Sequence, residues 1–283
     1  MTISRRDFLK IAGVTAASTS LAALGFPNVI AAMPQQGRML GGFPARVAPH
    51  DHAELAANLL PDSVHEILDI ERGFVRLPSG YVPEKAIQPM LEAHFLLPEN
   101  LPAHVEVIAP YAAVRKYGAA DAPLVARPGH GAVLEALKAL PDQHGLFDWY
   151  QVDLGEGLSG WVQANQIQQV IETQTSSAAH AVIKNHEMAV WRGERELARF
   201  ALACPVNLPA GTHQIIRRHS CLHTSVFKGI PWVLETNRGL QLGGVYWHNQ
   251  FACTSPSSQI ELSVLAAKTV FGLLPEGSYL EVM

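Results

Sequence analysis

The sequence predicts a mainly β protein of three units behind an N-terminal export segment. Short aliphatic and aromatic runs broken by Gly and Pro recur along the chain, and a five-position pattern returns at an offset of 80 residues. A single short helix is expected near the C-terminus, over Ser263–Phe271, with the acidic Glu261 at its start and Gly272 at its end. The length of 283 residues suits more than one domain, and a hydrophobic fraction of 48% excludes a disordered chain. With 21 Lys+Arg against 25 Asp+Glu, the net charge of −4 argues against a nucleic-acid partner, which would call for a basic face. The three cysteines, Cys204, Cys221 and Cys253, exclude a disulfide-dense scaffold and a four-cysteine zinc site. Their odd number leaves at least one thiol unpaired.

The first segment, Ser4-Arg5-Arg6-Asp7-Phe8-Leu9-Lys10, resembles the twin-arginine export consensus, with paired Arg, Phe, Leu and Lys in register. Ile11 to Phe26 carries no charge, and Val29-Ile30-Ala31 offers a signal-peptidase site, so residues 1–31 are expected to be the signal. Pro27 and modest hydrophobicity make this run a poor membrane span. The resemblance implies the twin-arginine translocase as a partner during export. It places the protein in the periplasm or cell envelope, anchored to the membrane if the signal stays uncleaved. Loss of Arg5, Arg6, Lys10 and Asp7 leaves 18 basic against 24 acidic residues, a balance of −6.

The repeat organises the first half. Gly80-Tyr81-Val82 matches Gly160-Trp161-Val162, and Ile87-Gln88 matches Ile167-Gln168. A strand signal precedes each copy, Gly73 to Leu77 in the first and Asp148 to Val152 in the second. This strand, Gly turn, Gly-aromatic-Val strand and short helical turn resembles the ending of a bacterial SH3-like barrel. The resemblance covers residues 42–92, the weaker copy, and 104–172. It implies two small barrels used as wall-binding or spacer modules. Tyr81, Trp149, Tyr150 and Trp161 are candidate groove aromatics, but a small barrel needs large side chains inside, so Trp149 and Trp161 are assigned to the core. Leu97 to Pro102, with two prolines, reads as a connector, and Thr173 to Ala179 as the boundary to the last unit.

In that last unit, Ala181–Lys184 and Met188–Trp191 read as a hairpin around Asn185-His186-Glu187. Leu197–Leu202, Leu208–Thr212, Gly229-Ile230-Pro231-Trp232-Val233-Leu234 and Gly244-Val245-Tyr246-Trp247-His248-Asn249-Gln250-Phe251 follow. Pro275-Glu276-Gly277 and Tyr279–Val282 close the chain. Together these segments resemble the L,D-transpeptidase (YkuD-like) catalytic domain over residues 179–283. The resemblance implies a β-rich fold and a peptidoglycan substrate, with acyl transfer through a cysteine. A thiolate attacks an amide carbonyl, a neighbouring His lowers the thiol pKa, and backbone N–H groups hold the oxyanion.

The family supplies those parts in a Ser-His-Gly-Cys motif, which this chain lacks. Registered from Trp247-His248-Asn249 on one side and from Leu262, Ala267-Lys268 and Pro275-Glu276-Gly277 on the other, the motif falls on Pro256-Ser257-Ser258-Gln259. Ser257 stands where the His belongs and Gln259 where the Cys belongs, and Gly243-Gly244 replaces an earlier His-Gly. No catalytic residue is therefore expected at the family positions. The alternative is a displaced pair, Cys253 with His248, five residues apart across a loop. Tyr246, Trp247, His248, Asn249 and Trp232 are the candidate ligand-binding residues. On a strand, His219, Cys221 and His223 would share one face as possible metal ligands, a weaker reading than chance clustering among 13 histidines.

The expected protein is thus an exported, cell-wall-associated L,D-transpeptidase homologue without catalysis. It needs no cofactor and binds peptidoglycan, its stem peptides or another wall enzyme. The alternative is an active transpeptidase using Cys253 and His248.

Overall fold

In the computed structural model of the chain, residues 35–171 and 179–283 are described. The signal segment 1–31 and linker residues 173–178 lie outside them. The described residues are mainly strand, as the sequence predicts, with one α-helix, Val264–Leu273.

The first unit runs from Gln36–Met39 to Ile87–Pro89, so it begins six residues before the position expected from sequence. Gln36–Met39 pairs antiparallel with both Val64–Glu66 and Ile87–Pro89. A five-stranded sheet of Leu55–Leu59, Phe43–Arg46, Gly80–Pro83, Phe74–Leu77 and Asp69–Glu71 lies beside it. Met39, Ala45, Val75, Val82 and Ile87 fill the space between them. The second unit is a seven-stranded sheet that opens with Ala103–Val107 and ends with Ile167–Gln169.

The 80-residue repeat survives at the level of elements. The hairpin strands Gly80–Pro83 and Ser159–Gln163 each lead into a single 3₁₀ turn, Glu84–Ala86 and Ala164–Gln166. Each turn delivers a last strand that pairs antiparallel with the first strand of its own unit. Glycine stands in both copies because a strand passes close by. A Cβ on Gly80 would lie 2.6 Å from the Arg46 carbonyl oxygen, and one on Gly160 would lie 2.5 Å from a methyl of Val114. Val82 and Val162 are fully buried, each contributing about 1.5–3 kcal/mol by the usual area scale. Trp149 and Tyr150 are core residues, whereas Trp161 and Tyr81 are only half-buried. Trp161 therefore corrects the expectation. Its strand alternates, so the buried side goes to Gly160 and Val162 and the indole to the outer side.

The third unit is one ten-stranded sheet. Its order is Arg195–Ala201, Glu187–Arg192, His180–Lys184, Tyr279–Val282, Gly211–Leu222, Ile230–Thr236, Gln241–Val245, Ile260–Ser263, Ala203–Pro205 and Cys253–Ser255. The expected hairpin forms, with Asn185 and His186 both at positive φ in the two-residue turn. The helix packs on Ile230–Thr236 and Gln241–Val245. Ser263 caps it, its hydroxyl accepting the Ala266 N–H at 3.2 Å. It continues through Gly272, where the sequence predicted a stop, because the buried Leu274 holds the next turn through its N–H to the Val270 carbonyl. Glu261, expected at the helix N-terminus, instead lies within Ile260–Ser263 and faces a histidine.

The second and third units share one hydrophobic core, in which Val105, Leu134 and Tyr150 join Phe200, Leu262 and Phe271. Glu106, 1% exposed, accepts Lys268 Nζ at 2.7 Å across that junction and Gln168 Nε2 at 3.1 Å within its own unit. A Cβ on Gly229 would lie 2.6 Å from the Val133 carbonyl oxygen, so the two backbones touch. Leu97 and Leu101 of the connector pack against the same core.

Candidate functional site

The Pro256–Gln259 loop borders an open cleft of about 430 Å³. Trp247 and His248 form one side, Thr224, Phe227 and Ile230 another, and Ser255 to Gln259 with Glu261 the rest. The wall is aromatic: Phe227 and Trp247 stack with centroids 3.7 Å apart and planes 11° from parallel.

The loop is built from side-chain-to-backbone bonds. Ser255 Oγ accepts the Ser257 N–H and Ser257 Oγ accepts the Gln259 N–H, each at 3.1 Å. Both hydroxyls also hydrogen-bond the Glu261 carboxylate. His248 supplies a third bond, its Nε2 lying 3.2 Å from Glu261 Oε2. His248 Nδ1 accepts the Gln250 N–H at 3.2 Å, so the ring proton sits on Nε2. Burial pushes the Glu261 carboxyl up, but the bonds from His248, Ser255 and Ser257 outweigh it and hold the group below its ordinary range. Gln259 donates through Nε2 to Gln241 Oε1 at 3.0 Å.

An amide is no nucleophile, a carboxylate held below its ordinary pKa is a weak base, and the serine hydroxyls are already committed on both sides. Hydroxyls, an amide, an imidazole and an aromatic wall can grip a polar ligand.

Of the five residues expected to bind ligand, two line the cleft, Trp247 and His248. The other three lie outside it. Tyr246 is 6% exposed, donates its hydroxyl proton to the Lys228 carbonyl at 2.7 Å, and offers its own carbonyl to Arg38 at 3.3 Å. Asn249 is 7% exposed and donates to the carbonyls of Glu84 and Ile87 at 3.1 and 2.8 Å. Trp232 is buried beside the Phe271 ring and the Lys268 ammonium. Trp247 and His248 face the cleft, while the Asn249 carboxamide reaches into the first unit and satisfies two backbone carbonyls there. Arg38, fixed by Asp62 at 2.6 Å, completes that docking. It was missed because nothing local to Arg38 in the sequence marks it.

The displaced pair is not assembled. Cys253 donates to the Gln250 carbonyl at 3.7 Å, while both His248 nitrogens are engaged elsewhere. Burial, then the Glu261 charge, push the Cys253 thiol up, away from the thiolate. Cys204 is buried and raised to about 11. Nor do His219, Cys221 and His223 converge. His219 Nε2 lies 3.6 Å from Glu235, whereas Cys221 Sγ lies 3.3 Å from His223 Nε2, which also faces Asp153 of the second unit at 3.5 Å. His223 Nδ1 accepts the Gly229 N–H, so the proton is on Nε2 and the ring cannot take one from the thiol. Burial, with Asp153 and Glu135, pushes Cys221 up to about 12. Among the described residues no group of three His, Cys, Asp or Glu is placed to hold a metal ion.

Residues 2–22 match the family model described as the TAT (twin-arginine translocation) pathway signal sequence, which supports export by that route. Among the described residues, no helix is long and apolar enough to cross a membrane. No curated protein matches the chain. Solved structures similar to it include an L,D-transpeptidase (Yku) from Stackebrandtia nassauensis, at 12% identity and a TM-score of 0.33, covering 39% of this chain. The chain spans only 57% of that protein's length. An L,D-transpeptidase from Mycobacterium smegmatis aligns at 12% identity and a TM-score of 0.34, over 54% of this chain and 90% of its own. One from Mycobacterium tuberculosis H37Rv aligns at 12% and 0.34, over 68% of this chain and all of its own.

Proposed function

We propose that the protein is an exported, cell-wall-associated homologue of the L,D-transpeptidases that binds peptidoglycan stem peptides without cleaving them. One observation carries this reading: the cleft sits where the two-sided registration of the sequence places the catalytic motif, and a Glu261–His248–serine network fills it in place of a thiol. A site that loses its nucleophile and its base while keeping an aromatic-walled cleft has lost the reaction and kept the surface. The first repeat unit, read as an SH3-like barrel, holds the Tyr246–Asn249 segment through Arg38 and the Glu84 and Ile87 carbonyls, a further support for a scaffold role. Stem peptides are the class of ligand the family resemblance implies.

Co-sedimentation of the exported protein with purified sacculi tests the reading. Binding is expected, and Trp247→Ala should weaken it roughly tenfold, the usual cost of removing an aromatic anchor from a binding cleft. Absence of sedimentation would overturn the proposal, as would full binding by the Trp247 variant.

A further inference from the structure

The ten-stranded sheet carries a second hollow that shares no residue with the cleft. It lies at the opposite edge, where alternation turns Ala181, Ile183, Met188, Val190 and Phe200 inward and their neighbours outward. Strand register fixes the outward rows. One row runs Tyr279, His180, Trp191, Glu196 across four adjacent strands, and the next runs Glu281, Val182, Ala189, Arg199. Tyr279 is 54% exposed, and His180 and Trp191 are half-buried. The small Ala189 between larger neighbours leaves a hollow of about 450 Å³, floored by Val182 and Ala189 and rimmed by Trp191, His180, Arg199 and Glu187.

Three features define what fits. Tyr279 and Trp191 stand two strand spacings apart, about 10 Å, close to the length of one disaccharide in an extended β-1,4-linked chain. Rings fixed on a sheet can meet the C–H faces of sugars, while Arg199, His180 and Glu196 present planar donors and acceptors to the hydroxyl edges. Arg199 is already held in place by Glu196 at 2.7 Å and Glu187 at 3.1 Å, so little is lost in ordering it on binding. The charge gives a polyanion no advantage, since Glu187, Glu196 and Glu281 outnumber Lys184 and Arg199 on the same face, and Arg199 is already paired with Glu187 and Glu196. The apolar-floored hollow with a hydrogen-bonding rim has the chemistry to take an acetamido group.

We infer that this face binds a β-1,4-linked N-acetylated amino-sugar glycan, giving the protein a glycan contact separate from its peptide cleft. The choice of amino sugars rests on the wall-associated reading; the aromatic row does not. The test is titration of the protein with chitotetraose, the β-1,4-linked N-acetylglucosamine tetramer, followed by tryptophan fluorescence and by amide NMR shifts. Saturable binding is expected. Trp191→Ala should weaken it at least tenfold, Ala189→Leu, which fills the hollow and keeps the indole, should weaken it likewise, and Trp247→Ala should leave it unchanged. No binding at millimolar chitotetraose would overturn the inference, as would wild-type affinity in both hollow variants. Chitotetraose binding by a protein that ignores sacculi would sink the wall-associated reading while leaving the glycan face in place.

Discussion

His248 and Glu261 define the cleft at the scale of single residues. In a thiol enzyme the imidazole would face sulfur; here it donates to a nearly buried carboxylate that also takes two serine hydroxyls. Removing that carboxylate leaves one N–H and two hydroxyls without an acceptor in a poorly hydrated place. Glu261→Ala is therefore expected to cost about 1–3 kcal/mol, read as a lower urea midpoint at unchanged slope. An unchanged midpoint would mean that the network is not formed. The cleft-side place of Ser257 and Gln259 follows in the sequence from the segments that flank them on both sides. The role of Glu261 does not: its position beside Ser263 suggested a helix start, and only the strand geometry turns it to His248. Tyr246 and Asn249 were misjudged for a related reason. A motif records which residues occur together, not which of them look inward.

Repeats and junctions belong to the scale of elements. The 80-residue repeat was readable because Gly, Val and Gln each meet a fixed local demand in both copies: close strand approach, a core position, a buried amide. The first strand, Gln36–Met39, escaped notice since it makes its pairs with strands far along the chain. His130 shows the same limit. It is fully buried where all three units meet, its Nε2 accepting the Leu91 N–H at 2.7 Å and its Nδ1 donating to the Ile108 carbonyl at 3.1 Å. Burial pushes its pKa down to about 4. A histidine with a folded pKa below its unfolded value of about 6.5 stabilises fully above that value and loses its contribution as pH falls toward 4. The difference corresponds to about 3 kcal/mol by the usual conversion of pKa into free energy. The wild-type melting temperature should drop between pH 6.5 and 4, and His130→Gln should flatten that part of the curve. Parallel curves for the two proteins would remove His130 as the cause.

The whole molecule is a tied body rather than beads on linkers. Composition, a connector with two prolines and a small polar boundary at Thr173 to Ala179 suggested separate modules, yet the second and third units share a core and the first is pinned to Tyr246 and Asn249. Contacts between residues more than 160 positions apart, such as Asn249 with Glu84 and Lys268 with Glu106, leave no local trace in sequence. That construction fixes one wall of the cleft against the first repeat unit. The central claim, a transpeptidase-like cleft without a reactive thiol, is tested most directly by intact-mass spectrometry of the exported protein after incubation with a carbapenem. The mass is expected to remain that of the unmodified chain, because Gln259 cannot be acylated and Cys253 is held as a thiol beside Gln250. A stoichiometric adduct mapping to Cys253 would contradict the claim and return the protein to the active enzymes.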